Sequence, residues 1–169
     1  PSHGVIWTNH INDIVGCYQK WDSNYQEDQV TIIYDTMWQA TRRMAEQIAN
    51  GVRQAHPETR VVIMNVTKDD KNDILLETFR SREILVGCPT VNLGMTYAMA
   101  GMLELIHGMR FKGKKAAVFT SFGWGGGVEK RMQQRLEEAG FEIAAEPLKV
   151  KWAPDSDAER QCREWGSAL

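Results

Sequence analysis

The sequence contains few cysteines, and none of them is arranged in a paired motif. Cys17, Cys88 and Cys162 are the three cysteines among 169 residues, and they lie far apart in the chain. An odd number with no C-x-x-C spacing excludes a complete disulfide framework and a zinc or iron site built from cysteines alone. We therefore expect a reducing, cytoplasmic setting for this protein.

Long apolar runs and blocks of one charge are also missing. The longest apolar stretch, residues 94–109, is interrupted by Glu104 and is shorter than a bilayer span. No charged segment followed by an apolar one opens the chain, so no signal peptide is predicted. The 20 Lys and Arg residues and the 22 Asp and Glu residues give a net charge of −2. Without a basic patch, neither nucleic acid nor an anionic membrane is an expected partner.

From Val30 onward, strand-like segments alternate with helix-like segments. Strands are predicted at residues 30–34, 61–66, 83–87, 115–120 and 142–150, and helices near residues 39–55, 70–79, 96–107, 128–139 and 154–165. Five strands separated by helices indicate βαβ units. The predicted fold is therefore α/β, with a doubly wound, five-stranded parallel sheet in the order 2-1-3-4-5 and helices on both faces.

The first 28 residues lie outside this alternation. A short amphipathic helix near residues 11–21 is followed by a polar connector at residues 22–29. The sequence starts at Pro1 instead of Met, in a run that looks like a motif, so we expect a piece of a longer protein. We predict that residues 1–28 are the end of a preceding domain plus a linker, and that residues 29–169 form the doubly wound domain.

In such a sheet, ligands bind beyond the carboxyl ends of the strands, where three loops are informative. The loop after the first strand carries Thr36 and Thr41 ahead of a helix, whose N-terminal amides favour an anion. The loop has no Lys or Arg, no Walker motif and no dinucleotide glycine motif, so a single phosphate monoester fits it better. The alternative, that Thr36 only caps the helix, stays open from this loop alone.

The other two loops add aromatic and polar groups. Four glycines within residues 123–127 surround Trp124, and glycine lets a backbone approach a ligand closely. Trp124, and Trp38 in the first loop, offer flat faces to a planar ring. Thr90 and Asn92 in the middle loop supply hydrogen-bonding groups. Packing against another domain would explain one such tryptophan, but two in neighbouring loops favour a site for a phosphorylated planar heterocycle such as FMN.

No catalytic residue is predicted. Cys88 follows the third strand, but none of the four histidines follows a ligand-facing strand, so a Cys–His nucleophile is not supported. We expect Cys88 to be a buried, unreactive thiol. A receiver domain would need an acceptor Asp where this sequence has Gly-Cys-Pro.

The three loops resemble those of a known family. The runs YDTMWQAT (34–41), GCPTVNLGM (87–95) and SFGWGGG (121–127) are similar to the flavin loops of flavodiiron proteins, and most of all to their flavorubredoxin-type nitric oxide reductases. PSHGVIW (1–7) resembles the end of the metallo-β-lactamase-like domain that precedes the flavodoxin-like domain in this family. Compared with the T-x-T-G-x-T loop of plain flavodoxins, the chain keeps the outer threonines but has Trp38 and Gln39 between them.

This resemblance implies an FMN-binding electron-transfer domain of a nitric oxide or dioxygen reductase. FMN would receive electrons from rubredoxin, or from a rubredoxin domain, and pass them to a diiron domain in a homo-oligomeric parent protein. His3 matches the last diiron ligand of the family, but its fellow ligands are not in this chain, so no metal site is predicted. Two alternatives stay open: a self-sufficient flavodoxin-like NAD(P)H:quinone reductase, and a flavin-free docking module.

The loop positions and the resemblance together give the predicted FMN contacts. The phosphate is expected at the first loop, the ring beside the tryptophans, and its polar edge at the middle loop and the start of the third. The predicted residues are Thr36, Met37, Trp38, Gln39, Ala40, Thr41, Pro89, Thr90, Val91, Asn92, Leu93, Ser121, Phe122, Gly123, Trp124, Gly125 and Gly126.

Overall fold

Strands and helices alternate along the chain in the computed structural model, which describes residue 4 and residues 6–169. The helices are α1 (Ile11–Asp22), α2 (Ala40–Ala55), α3 (Lys71–Arg80), α4 (Tyr97–Met109), α5 (Val128–Glu138) and α6 (Ser156–Ser167). The strands are β1 (Glu27–Tyr34), β2 (Arg60–Asn65), β3 (Ser81–Gly87), β4 (Lys115–Phe122), β5 (Glu142–Ile143) and β6 (Leu148–Lys151). Within the described ranges, none of the helices is both long and apolar enough to cross a bilayer.

All neighbouring strands pair in parallel, in the order β2-β1-β3-β4-β5, with β6 also paired to β4. The predicted fold is therefore confirmed. Ile32 in β1, for example, lies opposite Ile63 in β2 and Leu85 in β3. Because helices cover both faces, β1 is buried continuously over residues 29–34 instead of at alternate positions.

Each face of the sheet carries its own hydrophobic core. On one face, Ile74 of α3, Met99 of α4 and Met132 of α5 pack together with inward-facing strand residues. On the other face, Met44 of α2 and Cys162 of α6 do the same. These two layers hold the strands and the starts of their following helices in place, and so fix the carboxyl edge of the sheet.

The predicted single strand at residues 142–150 is wrong in one respect, because the chain forms two short strands there. β5 pairs with Lys115 and Ala116 at the start of β4, whereas β6 pairs with the second half of β4. Pro147 lies between the two strands and has no amide proton to donate to the sheet. The fifth position of the sheet is therefore shared by β5 and β6.

The first strand begins at Glu27, three residues earlier than predicted, inside the segment predicted as a polar connector. Gln29 belongs to this strand and is fully buried despite its polarity. Its side chain donates to Thr31 Oγ1 at 2.9 Å and accepts from Arg60 Nη1 at 2.6 Å. These hydrogen bonds satisfy the amide group of Gln29, so this polar residue, which the sequence places in a connector, is stable inside the sheet.

Helices α2 and α6 pack side by side and run in the same direction. Arg43 pairs with Glu159 at 2.6 Å, and Arg163 donates to Gln47 Oε1 at 2.6 Å, so equivalent contacts recur at a constant offset along both helices. A Cβ at Gly51 or at Gly166 would collide with a backbone carbonyl of the other helix. The two helices therefore touch through their backbones, and both start at the carboxyl edge of the sheet.

Candidate functional site

The loops after β1, β3 and β4 meet at the carboxyl edge of the sheet. Asp35 N donates to Gly87 O at 2.9 Å, and Thr90 N donates to Ser121 O at 2.9 Å. These bonds extend the pairing of the sheet into the loops, so the positions of the loops relative to one another are fixed by the strands.

Two adjoining cavities lie among these loops. One of about 200 Å³ extends from the start of α2 to the end of β4, and one of about 450 Å³ lies between the middle loop and the glycine loop, residues 123–127. Every predicted site residue except Gln39 and Gly126 lines at least one of them. The residues common to both cavities are Met37, Trp38, Thr90, Gly123 and Trp152.

The start of α2 is open to a ligand. Gln39 occupies the position before the helix with a left-handed φ of 66°, and no side chain caps the helix there. The backbone amides of residues 37–42 donate no hydrogen bond to the described part of the chain, whereas Thr36 N donates to Asp35 Oδ1 at 2.8 Å. The interpretation of Thr36 as a helix cap is therefore wrong, and free amides at a helix start are suited to an anion.

Two threonine hydroxyls of this region are buried without a partner. Thr36 Oγ1 and Thr90 Oγ1 make no hydrogen bond within the described residues, and both threonines line the smaller cavity. Burying a hydroxyl in this way costs about 1–3 kcal/mol, so it is uncommon in native proteins. A ligand in this cavity would therefore lie beside two threonines whose hydroxyls have no partner in the described chain.

Thr41, the other predicted hydroxyl, has a partner within the chain. Its Oγ1 lies 2.9 Å from Ser121 Oγ, and both residues are buried. This bond links the start of α2 to the end of β4. Thr41 still lines the smaller cavity, and its hydroxyl has one proton and two lone pairs, of which the bond with Ser121 uses one.

The aromatic side chains of the site point away from the core. The side chains of Trp38 and Trp124 are 87% and 94% exposed. Leu93 of the middle loop approaches the glycine loop so closely that a Cβ on Gly125 would lie 2.9 Å from Leu93 Cδ2. Large apolar groups exposed at one edge indicate a surface that contacts a ligand or a partner.

Sequence reasoning missed a fourth segment of the site, which follows β6. Trp152 lines both cavities, and Ala153 lines the smaller one. The ring of Trp152 lies edge-to-face against the ring of Trp124, with centroids 4.8 Å apart and an angle of 87° between the planes. The sequence could have predicted this segment, because Trp152 follows the last strand and the residue after a parallel strand lies at the carboxyl edge, as the other three loops do.

Neither cavity contains a cation among the residues that the structure describes. Arg42 pairs with Glu46 at 2.8 Å, and Arg43 pairs with Glu159 of α6. Arg131 instead lines a third, adjoining cavity of about 730 Å³, together with Tyr97 and part of the middle loop. An anion in the first two cavities would thus be held by hydroxyls and amides, not by an ion pair.

Cys88 is buried beneath the middle loop. Burial raises the pKa of its thiol, and hydrogen bonds with Thr96 oppose that rise. Its Sγ donates to the carbonyl of Pro89 at 3.3 Å. A buried, protonated thiol of this kind is a packing group, as the sequence predicts.

Metal-binding groups are not clustered in the described ranges, where no set of three or more His, Cys, Asp and Glu side chains is placed to hold an ion. His3, the counterpart of the family's diiron ligand, lies outside the described residues.

Known proteins resemble the chain over nearly its whole length. The anaerobic nitric oxide reductase flavorubredoxin of Vibrio vulnificus strain YJ016 is 50% identical to it over 168 residues, which are 99% of this chain and 34% of that protein. The chain therefore spans about a third of the length of this curated relative.

Solved structures share its fold. The rubredoxin oxygen:oxidoreductase of Desulfovibrio gigas superposes with a TM-score of 0.84 at 30% identity, covering 92% of this chain and 38% of that one. The flavodiiron protein of Giardia intestinalis superposes with a TM-score of 0.86 over 98% of this chain and 41% of that one, and at 24% identity this likeness shows the fold alone. The predicted resemblance to flavodiiron proteins is confirmed.

The family profile of flavodoxin matches residues 32–166, which include all three predicted loops. A flavodoxin domain implies FMN as its cofactor, and the open helix start and the orphaned hydroxyls are compatible with a phosphate at this edge. From its strand order, its loops and this match, the chain belongs to the flavodoxin family.

Proposed function

We propose that this chain is the FMN-binding electron-transfer domain of a flavodiiron nitric oxide or dioxygen reductase. The observation that carries the proposal is the pair of orphaned hydroxyls, Thr36 and Thr90, beside the uncapped start of α2. These groups fit FMN, because its phosphate presents acceptor oxygens to Thr36 and to the free amides, and the polar edge of its ring presents acceptors to Thr90. The positive end of the helix dipole adds attraction for the same anion.

The proposed contacts come from the loops after β1, β3 and β4. The phosphate is held by Thr36, Thr41 and the amides of residues 37–40, and the ring lies beside Trp124 and Trp38. The polar edge of the ring faces residues 89–93 and 121–123, with residues 125 and 126 completing the glycine loop.

Bound FMN supplies the capacity to take up and release electrons one at a time or in pairs. The chain orients the cofactor and sets the charges around it. Because the described residues place no Lys or Arg in either cavity, extra negative charge on the ring gains no ion pair. That arrangement favours release of electrons to the next acceptor.

Donor and acceptor are proposed from the relatives and the family resemblance. The names of the relatives, a flavorubredoxin and a rubredoxin oxygen:oxidoreductase, support rubredoxin or a rubredoxin domain as the donor. The acceptor is a diiron domain, of which residues 1–28 are the end plus the linker to residues 29–169, in a homo-oligomeric parent. The cytoplasm is the proposed location, and the three free cysteines are compatible with its reducing setting.

An FMN titration tests the cofactor assignment. After gel filtration, the purified chain should retain about one equivalent of FMN, as expected for a single preformed site. Thr36→Val should weaken binding about tenfold or more, because it removes a hydrogen bond to the charged phosphate. Thr90→Val should weaken binding about two- to tenfold, because it removes a hydrogen bond to the polar edge of the ring. Thr78→Val is the matched control, since Thr78 is a buried threonine of α3 whose hydroxyl donates to Ile74 O.

The same samples separate the alternatives. A protein that retains no FMN would overturn the proposal and support a flavin-free docking module. Steady turnover of quinone with NADH would support the self-sufficient reductase instead. For the proposed carrier, mixing with reduced rubredoxin should bleach the visible absorption of bound FMN, and turnover with NADH alone should be absent.

A further inference from the structure

Trp152 contacts both the glycine loop and Phe122, the last residue of β4 before that loop. Its backbone N–H donates to Phe122 O at 2.7 Å, and its ring lies edge-to-face against the ring of Trp124, 4.8 Å away. Since the Trp124 side chain is 94% exposed, little of it is held by the rest of the fold. The contact with Trp152 therefore has a large share in fixing the orientation of the Trp124 ring.

Gly123 makes room for the Trp152 ring. A Cβ on Gly123 would lie 2.8 Å from Trp152 Cζ3, closer than real Cβ atoms approach, and 3.0 Å from Cη2, which is also a tight contact. The φ of Gly123 is not in the left-handed region, so space and not backbone conformation calls for glycine here. The Trp152 ring thus rests directly on the backbone of the loop that carries Trp124.

The backbone of Trp152 is strained. Its φ is 63°, a left-handed value that is uncommon for a bulky side chain and costs free energy. The side chain is also 50% exposed, so burial of the ring in a core does not account for the strain. Strain of this kind concentrates at ligand sites, where the surrounding structure holds a residue in place for binding.

From these contacts we infer that Trp152 is a positioning residue of the FMN site. It acts through Trp124, by holding that ring and the glycine loop in the arrangement that receives the planar ring of the cofactor. The inference rests on the proposed function, because it presumes that the two cavities bind FMN.

A double-mutant cycle on FMN affinity tests the inference. Trp152→Ala should weaken FMN binding about tenfold, and Trp152→Phe, which keeps an aromatic edge, by no more than about threefold. The Trp124→Ala/Trp152→Ala double variant should bind more tightly than the product of the two single effects predicts, because one residue acts through the other. Trp7→Ala is the matched control, since Trp7 is also 50% exposed but lines neither cavity, and its affinity should match wild type.

Two further readouts separate positioning from general stability. Without FMN, the coupled near-ultraviolet circular dichroism of the Trp124–Trp152 pair should disappear in either single alanine variant. Gly123→Ala should weaken FMN binding about tenfold in the wild-type background, where its Cβ displaces the Trp152 ring, but no more than about twofold in the Trp152→Ala background, where the space is free.

Each outcome decides between the two proposals. If wild type binds FMN while Trp152→Ala and Trp152→Phe both bind it equally well, the positioning role is wrong and the proposed function stands. An equal effect of Gly123→Ala in both backgrounds would also overturn the positioning role. If wild type retains no FMN, the proposed function fails and this inference fails with it. Should Trp152→Ala not fold, Gly123→Ala in the wild-type background decides, because its Cβ displaces the Trp152 ring; FMN binding as tight as that of wild type would then overturn the positioning role.

Discussion

Thr36 shows at the scale of a single residue how a ligand site differs from a well-packed interior. Its hydroxyl oxygen is buried and unsatisfied within the described chain, although its amide is held by Asp35. The free protein therefore carries a desolvation cost that a bound ligand would remove. Stability of the free protein and affinity for the ligand should respond in opposite directions when this hydroxyl is lost.

Thr36→Val is expected to leave the free energy of unfolding of the FMN-free protein unchanged, or to raise it by up to about 1 kcal/mol, because valine is similar in shape and needs no partner. In the presence of FMN, the same variant should be less stable than wild type. Urea unfolding with and without FMN measures both. A variant that loses more than about 1 kcal/mol without FMN would show that the hydroxyl has a partner in the free protein.

At the scale of elements, the packing of α6 against α2 fixes the position of the helix whose start lines the candidate site. Both helices start at the carboxyl edge, and their backbones touch at Gly51 and Gly166. Helix α6 has its own cap, since Asp155 accepts from Ala158 N at 2.9 Å, whereas the start of α2 has none. The packing thus holds an uncapped helix in position for a ligand.

Gly166→Ala should lower the free energy of unfolding by about 2–3 kcal/mol, because its Cβ has no room beside Ile48 O and the two helices must move apart. Gly101→Ala, in α4, is the control: a Cβ there meets nothing within 4 Å, so alanine should stabilise the helix by about 0.5–1 kcal/mol. Urea unfolding measures both changes. Equal stability of the two variants would contradict the close packing of α2 and α6.

Lys114 connects a loop, a helix and a strand at the opposite, amino edge of the sheet. Its Nζ donates to Tyr25 O at 3.2 Å, Phe79 O at 2.8 Å and Ser81 O at 2.7 Å. Burial lowers the pKa of this ammonium group from 10.5 to about 8. The folded chain therefore releases this proton at a lower pH than the unfolded chain does.

This difference predicts a pH dependence with a definite sign. Below pH 8, the cost of burying the charge is fully present, and it is relieved as the pH rises toward 10.5, because there the unfolded chain binds more protons than the folded one. Between pH 8 and 10, wild type should gain about 2 kcal/mol relative to Lys114→Met. Urea unfolding of wild type and Lys114→Met at both pH values tests this prediction, and Lys112→Met, at an exposed lysine, is the control. If the difference in free energy of unfolding between wild type and Lys114→Met stayed constant with pH, the burial of the charge would be contradicted.

At the scale of the whole molecule, FMN binding should be coupled to folding. A ligand that binds the folded state alone raises the free energy of unfolding by about 2.7 kcal/mol at a concentration 100 times its Kd. The thermal midpoint of wild type should therefore rise steadily with added FMN, and that of Trp124→Ala should rise less at equal concentrations. Thermal unfolding followed by far-ultraviolet circular dichroism checks this. A midpoint that FMN does not move would contradict a site in the folded chain.

Much of this architecture is predictable from the sequence, because strands buried on both faces read as uninterrupted apolar runs and the helices between them show their own period. The exceptions depend on contacts between distant residues. Gln29 is polar and is therefore predicted to lie in a connector, but in the fold Arg60 and Thr31 satisfy the hydrogen bonds of its amide group. The contact of Trp152 with Trp124, 28 positions away, arises only when β6 pairs with the second half of β4.

The shared direction of α2 and α6 also determines where a tag or an anchor can be attached without blocking the candidate site. Both helices end at the amino edge of the sheet, so Leu169 leaves the fold on the side away from the cavities. An affinity tag or a surface anchor added after Leu169 would therefore leave the four loops free. Immobilised on an electrode through this end, the protein would present its cofactor edge to the solution, where a dissolved redox partner could reach it.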